Sequence, residues 1–197
     1  MVKVTRLVVC GARGVGKTSI IEQCIYGNLH EKEMNESLPT IEDTYNAIVE
    51  TDRGTKERVR IYDIGDPAKV ERHFINSADA FILVYDLTNA ASLSAVQMLK
   101  REIDDSRSKR EVLFFLFGNK SDKPRDRAID AAELTRWAHS EKVHHHEISV
   151  NDRAKLCNLF AWIVSRVNQS QNKSGFSFGK KEARAFPGPS GPRTDLD

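Results

Sequence analysis

Short, continuously apolar runs along the chain predict buried strands. The runs at 80–85 and 112–117 have the length and apolar content of strands covered on both faces. Two less apolar runs flank the turn sequence at Asp52, Arg53 and Gly54, which predicts a hairpin. Strands are predicted at residues 3–10, 45–51, 58–63, 80–85, 112–117 and 143–149.

Apolar residues spaced three and four positions apart predict helices between these strands. One helix follows the first strand and ends at Gly27, another contains Leu93, Val96 and Leu99, and a third opens at the N-cap Asp130. A last helix is predicted over 152–167. The alternation predicts an α/β fold with three layers: a mostly parallel six-stranded sheet, one antiparallel edge strand and helices on both faces.

Composition and charge set the class of protein. The chain has 197 residues, of which 40% are hydrophobic and 29% charged, as in a globular protein with one domain. Its longest apolar runs are six residues, too short to cross a bilayer. The three cysteines lack the spacing of a metal site, which is typical of reduced thiols in a cytosolic protein.

The charge surplus lies at the end of the chain. Residues 168–197 are rich in Gly, Pro and Ser and carry the whole net charge of +2, so residues 1–167 are neutral. We expect a folded domain at 1–167 and a disordered extension at 168–197. A neutral domain argues against nucleic-acid binding, which needs surplus cations.

Residues 11–18 match a phosphate-binding loop between a predicted strand and a predicted helix. The sequence GARGVGKT fits the pattern G-x-x-x-x-G-K-[ST], whose glycines let backbone N–H groups surround phosphate oxygens. Lys17 would reach the β- and γ-phosphates, and Thr18 offers a hydroxyl to Mg²⁺. The predicted binding residues here are Gly11, Ala12, Arg13, Gly14, Val15, Gly16, Lys17, Thr18 and Ser19.

A second polar segment indicates which base is bound. Asn119, Lys120 and Asp122 follow the apolar run at 112–117, where the carboxyl ends of parallel strands hold ligands. A carboxylate can accept from two N–H groups of guanine, whereas adenine would leave a buried Asp unpaired at a cost of about 1–3 kcal/mol. On its own, the pattern Asn-Lys-x-Asp is common in polar turns. Because it follows a phosphate-binding loop here, it predicts that the bound nucleotide is GTP or GDP.

With both motifs present, the chain resembles the Ras-like small GTPases over residues 3–167. The resemblance implies a P-loop G domain with a switch I segment at 39–45, PTIEDTY, whose Thr40 closes on Mg²⁺ and the γ-phosphate. Asp63 matches the Asp of the D-x-x-G motif, which holds Mg²⁺ through water. The implied metal residues are thus Thr18, Thr40 and Asp63.

The same resemblance places further nucleotide contacts. Gly65 lies in the segment that corresponds to the D-x-x-G motif, and Ser149 and Val150 correspond to the base-side loop. The usual Ser-Ala-Lys of that loop is Ser-Val-Asn here, which weakens the guanine contact but keeps its backbone donor.

Several segments are similar to one branch of the family, the kappaB-Ras group of NF-kappa-B inhibitor-interacting Ras-like proteins. They are residues 26–28, 50–54, 99–104, 140–143 and 149–153. Membership would imply a cytoplasmic regulator with unusually slow GTP hydrolysis. Its partners would be the inhibitors of NF-kappa-B and the Ral GTPase-activating complex.

Two departures from ordinary Ras sequences predict weak hydrolysis. Arg13 stands where Ras proteins have a glycine, so it crowds the γ-phosphate and the water-orienting glutamine. After Asp63 the glycine arrives one residue early, at Gly65, and no glutamine comes after it in the segment. Asp66 adds a negative charge near the γ-phosphate. Activation by an arginine supplied from another protein should fail as well.

Three functional interpretations remain open from the sequence. The favoured one is a GTP-binding switch with slow hydrolysis. A pseudo-GTPase scaffold with structural or no nucleotide would explain the register of Gly65 and the altered Asn151. In the third, Arg13 reaches the γ-phosphate of its own molecule and assists hydrolysis.

The sequence offers no lipid attachment site. Its last cysteine is Cys157, far from a prenylated C-terminus, and Met1-Val2 lacks the glycine needed for myristoylation. We therefore expect a cytoplasmic monomer without a membrane anchor.

Overall fold

The structure is a computed structural model that describes residues 3–27, 40–66, 70–107 and 112–178, with side chains up to residue 172. The strands are β1 Val4–Gly11, β2 Glu42–Glu50, β3 Lys56–Ile64, β4 Ala80–Asp86, β5 Leu113–Asn119 and β6 His144–Glu147. The helices are α1 Lys17–Ile25, α2 Arg72–Ser77, α3 Ala90–Ser106, α4 Ala131–Ser140 and α5 Arg153–Phe178, with a 3₁₀ turn at Pro124–Asp126.

The six strands form one sheet in the order β2-β3-β1-β4-β5-β6. The edge strand β2 is antiparallel to β3, and all the other pairs are parallel. The predicted mostly parallel sheet with one antiparallel edge strand is therefore confirmed.

Helices cover both faces of the sheet, and alternate residues of β1 show how the layers divide. Leu7 and Val9 pack in the core that contains residues of α1 and α5. Val8 and Cys10 pack on the opposite face with residues of α2, α3 and α4. Since residues 7–10 of β1 are buried on both faces, this part of the strand is a continuous apolar run.

Capping residues place two helix boundaries where the sequence predicts them. The Asp130 carboxylate accepts hydrogen bonds from the backbone N–H groups of Ala132 and Glu133, at 2.7 and 2.9 Å, and starts α4. Gly27 follows the end of α1 with a left-handed φ of +70°. Within the described ranges, no helix combines the length and the apolar content needed to span a bilayer.

The end of the last helix differs from the prediction. The sequence predicts that this helix ends near 167 and that disorder begins at 168, whereas α5 continues to Phe178. At the start of the extension the Thr5 hydroxyl donates to the Asn168 side chain at 3.3 Å, and the Gln169 amide donates within the helix to Ser165 at 3.2 Å. The spacing of apolar residues along a helix does not reveal such contacts. The rest of the expected extension, 179–197, lies outside the described residues.

The strand register gathers polar residues at one edge of the sheet. Val9 is paired with Asp63, Gly11 with Val84, and Asp86 with Asn119. The carboxyl ends of β1, β3, β4 and β5 therefore meet where ligands bind in open α/β sheets.

Candidate nucleotide-binding site

The loop between β1 and α1 depends on glycine at position 16. Gly16 has a φ of +94°, and a Cβ there would lie 2.5 Å from the Asn119 side-chain nitrogen. Only glycine combines this conformation with so close an approach. The loop is thereby held against the end of β5, which carries the predicted base-binding motif.

Lys17 is buried and its ammonium group contacts three backbone carbonyls. It donates to the carbonyl oxygens of Gly11 and Ala12, both at 2.9 Å, and of Gly65 at 3.1 Å. Burial lowers the pKa of Lys17, and the carboxylates of Asp63 and Asp66 oppose that effect. The cation thus sits between the phosphate loop and the segment after β3, as a phosphate-binding lysine requires.

The three predicted metal residues converge. The Thr18 hydroxyl donates to Asp63 at 2.5 Å and lies 2.8 Å from the Thr40 hydroxyl. The other carboxylate oxygen of Asp63, Oδ1, is buried without a hydrogen-bond partner among the described residues. Burial raises the pKa of Asp63, while the hydrogen bond from Thr18 and the charge of Lys17 act against the rise.

These groups fit Mg²⁺. The ion prefers hard oxygen donors and octahedral geometry that includes waters. Two hydroxyls and a carboxylate with one unpartnered buried oxygen supply such donors, and a bound cation would stabilise the ionised form of Asp63.

The base-side residues form a second connected group. The Asn119 side chain donates to the Val15 carbonyl at 2.9 Å, while its own oxygen is buried without a partner in the described part of the chain. The Asp122 carboxylate accepts from the Ser149 hydroxyl at 2.7 Å. The hydroxyl therefore fixes the carboxylate that the sequence assigns to guanine.

A cavity of about 350 Å³ joins the phosphate loop to this base-side group. It is lined by Gly14, Gly16, Ser19, Asn119, Lys120, Asp122, Lys123, Val150 and Asn151. Predicted residues from three separate stretches of sequence thus face one space. Pro39 and Pro67, which belong to the predicted switch segments, lie outside the described residues.

Sequence reasoning missed Asp86. Its carboxylate forms a 2.6 Å ion pair with Lys120, which adopts a positive φ of +66°. Burial alone would raise the pKa of Asp86, but hydrogen bonds from Lys120 and Thr88 outweigh it and lower the pKa. Asp86 directly follows the apolar run at 80–85, which is the same signal that identified Asn119.

Tyr85 and His145 were missed as well. The Tyr85 hydroxyl lies 2.9 Å from the His145 ring nitrogen Nε2, and a Cβ on Gly118 would lie 2.4 Å from that hydroxyl. The pair supports the backbone immediately before Asn119. No local motif signals it, because Tyr85 and His145 are brought together only by the pairing of β4, β5 and β6.

Gly65 packs against the predicted switch I. Its N–H donates to the Ile41 carbonyl at 3.1 Å, and a Cβ at Gly65 would lie 1.7 Å from the Thr40 carbonyl oxygen. The glycine that arrives one residue early therefore brings the two switch segments into backbone contact.

Fold and site together define a P-loop nucleotide-binding protein with a G-domain architecture. The family model for the Ras family matches residues 6–169, and the chain belongs to that family. The family implies guanine nucleotide binding, usually with Mg²⁺, which agrees with the geometry of both site groups.

The chain is also similar to curated proteins over nearly its whole length. It is 43% identical to human NF-kappa-B inhibitor-interacting Ras-like protein 1 over 179 residues, or 89% of this chain and 92% of the relative. It is 42% identical to human NF-kappa-B inhibitor-interacting Ras-like protein 2 over 184 residues, which is 92% of this chain and 95% of the relative. It is 40% identical to NF-kappa-B inhibitor-interacting Ras-like protein 1 of Danio rerio over 190 residues, which is 95% of this chain and 98% of the relative.

We predict that Asp63→Asn stabilises the protein when Mg²⁺ and nucleotide are removed. Burial raises the pKa of Asp63 above its ordinary 3.8, so the ionised carboxylate lowers the free energy of unfolding at pH 7. This loss disappears as the pH falls through the raised pKa. Urea unfolding between pH 7 and pH 4 should give the variant a higher free energy of unfolding than the natural protein. The difference should shrink as the pH falls.

Asp105→Asn is the matched control, because Asp105 is exposed on α3. It should leave the pH dependence of unfolding unchanged. A variant Asp63→Asn that is less stable than the natural protein at pH 7 would contradict the prediction.

We predict that Gly65→Ala weakens nucleotide binding in Mg²⁺ by roughly 10-fold or more, because the new methyl group displaces the Thr40 backbone. Fluorescent nucleotide titration with and without Mg²⁺ measures the effect. Gly54→Ala serves as the control, since its φ of +72° strains the hairpin turn while no atom lies within 4 Å of the new Cβ. The control should lose stability but keep its affinity for nucleotide. Equal affinities for the natural protein and both variants would refute the predicted dependence of binding on the contact between Gly65 and Thr40.

Proposed function

We propose that the protein is a GTP-binding regulatory switch that hydrolyses GTP slowly and acts by binding inhibitor proteins of NF-kappa-B. The observation that carries this proposal is a connected set of groups suited to hold a nucleotide, next to an altered catalytic segment. Residues 11–19 would hold the phosphates, and Asn119, Asp122 and residues 149–150 would hold the base.

The holding groups are supported by contacts that cross the site. Lys17 connects the phosphate loop to Gly65, and Thr18 connects Thr40 to Asp63. When bound, Mg²⁺ would neutralise charge on the β- and γ-phosphate oxygens. The chain's own part is to supply the oxygen donors and to keep Lys17 desolvated, where its charge acts strongly.

The segment after β3 supports slow hydrolysis. Phosphoryl transfer requires a group that orients the attacking water. After Asp63 the next glutamine in the sequence is Gln97, on α3. Asp66 adds an exposed carboxylate whose charge acts on Lys17. Arg13 is an exposed residue of the phosphate loop, at the position where a glycine would leave room for water and its orienting group.

The partner is proposed from the relatives. Their names describe them as interacting with NF-kappa-B inhibitors. A switch that holds GTP for long periods would keep such an inhibitor engaged and restrain NF-kappa-B signalling. From the resemblance of the sequence to the kappaB-Ras group we also propose a cytoplasmic location and a second action on Ral signalling through the Ral GTPase-activating complex.

A scaffold with structural or no nucleotide is the second candidate. The proximity of Asp66 to Lys17 favours it, because a carboxylate there repels a γ-phosphate. Asn151, which replaces the lysine of the family's base-side loop, favours it too. Extraction of nucleotide from purified protein separates the candidates: one exchangeable guanine nucleotide per chain excludes the scaffold.

We predict single-turnover GTP hydrolysis at least about 10-fold slower than that of an ordinary Ras protein, because the water-positioning glutamine is missing. Radiolabelled GTP loaded on the full chain measures the rate. Arg13→Gly should keep or increase this rate, and Arg53→Gly in the hairpin turn should leave it unchanged. A slower Arg13→Gly variant would show that Arg13 assists hydrolysis in its own molecule, and a rate equal to that of Ras would end the proposal.

We predict that the protein loaded with a non-hydrolysable GTP analogue binds a purified NF-kappa-B inhibitor at least about 10-fold more tightly than the GDP form, by titration calorimetry. Ile41 follows Thr40 in switch I and is 72% exposed, so Ile41→Ser should weaken the complex. Met98→Ser is the matched control, because Met98 is 65% exposed on α3. Absence of binding in both nucleotide states would refute the proposed partner.

A further inference from the structure

Two of the three cysteines lie side by side between α1 and α5. The sulfur atoms of Cys24 and Cys157 are 3.9 Å apart, although 133 positions separate the residues in the chain. Cys24 donates its S–H to the Cys157 sulfur, and Cys157 donates to the Cys24 carbonyl oxygen at 3.7 Å. Both residues are half-buried, whereas Cys10 is fully buried on the opposite face of the sheet.

We propose that Cys24 and Cys157 form an oxidation site that closes into an intramolecular disulfide when a hydroperoxide is present. A disulfide requires the sulfurs to approach to about 2.05 Å. The sulfurs already touch, so side-chain rotation and a small shift of two packed helices cover the remaining distance. Partial exposure gives a small oxidant access to the pair but not to Cys10.

The hydrogen-bond direction assigns the order of the two thiols. Cys24 donates its S–H toward the Cys157 sulfur, so Cys157 is the acceptor in this pair. Burial and then the neighbouring Cys157 raise the pKa of Cys24 to about 12, so Cys24 is the poorer first nucleophile. Arg153 donates from its side chain to the Gln23 carbonyl at 3.1 Å, and its charge offsets part of the rise in the pKa of Cys24.

The chemistry balances with one hydroperoxide. The Cys157 thiolate attacks a peroxide oxygen, so an S–O bond forms, the O–O bond breaks and the leaving oxygen takes up a proton. Cys24 then attacks the Cys157 sulfenic acid; the S–S bond forms, the S–O bond breaks, and water leaves with the Cys24 proton. The two sulfurs lose two electrons in total, and the peroxide gains them.

The bond would join the two sides of the nucleotide site. Helix α1 begins at Lys17, and α5 begins directly after the base-side loop at 149–151. A crosslink between residues so far apart in sequence restricts the unfolded chain strongly, so it should raise thermal stability. In a reducing compartment the bond would form during oxidant exposure and be reversed by thiols.

The test uses the full chain treated with hydrogen peroxide and then quenched. We expect two of the three thiols to be lost, a mass decrease of about 2 Da, and a proteolytic fragment that joins the peptides containing Cys24 and Cys157. The melting temperature should rise by on the order of 5 °C and return after treatment with dithiothreitol.

Variants separate this site from general oxidation. Cys24→Ser and Cys157→Ser should each abolish the crosslink and the thermal shift, whereas Cys10→Ala should keep both. The crosslinked fragment from the natural protein is decisive even where a variant folds poorly. Sulfinic acid without a crosslink, a bond that includes Cys10, a bond between two chains, or no reaction with peroxide would each overturn the proposal.

Discussion

The burial of one cation organises the nucleotide site. Lys17 is 6% exposed, and an ammonium group removed from water needs replacement partners on several sides. Gly11, Ala12 and Gly65 supply these partners through backbone carbonyls, so the phosphate loop and the segment after β3 must stay close to each other. Larger side chains at these three positions would add bulk around Lys17 without adding carbonyl oxygens. The glycine content of both segments is consistent with this arrangement.

A second constraint comes from the buried carboxylate beside that cation. Asp63 lies at the end of β3 because the parallel pairing of β1 and β3 aligns it with Val9. It accepts from Thr18 and leaves one buried oxygen without a partner in the described chain. Such an atom is costly unless a ligand satisfies it. The oxygen donors that fit Mg²⁺ therefore lie together at the edge of the sheet, with Thr18 at the start of α1 and Thr40 just before β2.

Binding and catalysis depend on different parts of this site. The groups proposed to hold a nucleotide are backbone atoms and side chains gathered at the sheet edge, and Lys17, Asp63 and Asn119 among them are buried. Hydrolysis needs in addition a positioned water, and the described residues proposed to affect it, Arg13 and Asp66, are exposed. Substitution at such exposed positions does not remove the buried side chains of Lys17, Asp63 and Asn119. Under the proposed function, the chain keeps the nucleotide-binding groups of a Ras-family switch while its nucleotide cycle slows.

The sequence by itself determined the three-layer architecture, five of the strand positions to within two residues at each end, and the motifs that the proposed site uses. It could do so because buried parallel strands are continuously apolar, and because phosphate and base recognition use short contiguous motifs. Tertiary structure decided the rest. Asp86 meets Lys120, Tyr85 meets His145, and Cys24 meets Cys157 only after strands and helices far apart in sequence pack together. The continuation of α5 past residue 167 begins with such a contact, since Thr5 on β1 donates to Asn168, and the apolar spacing within a segment does not record a partner that lies outside it.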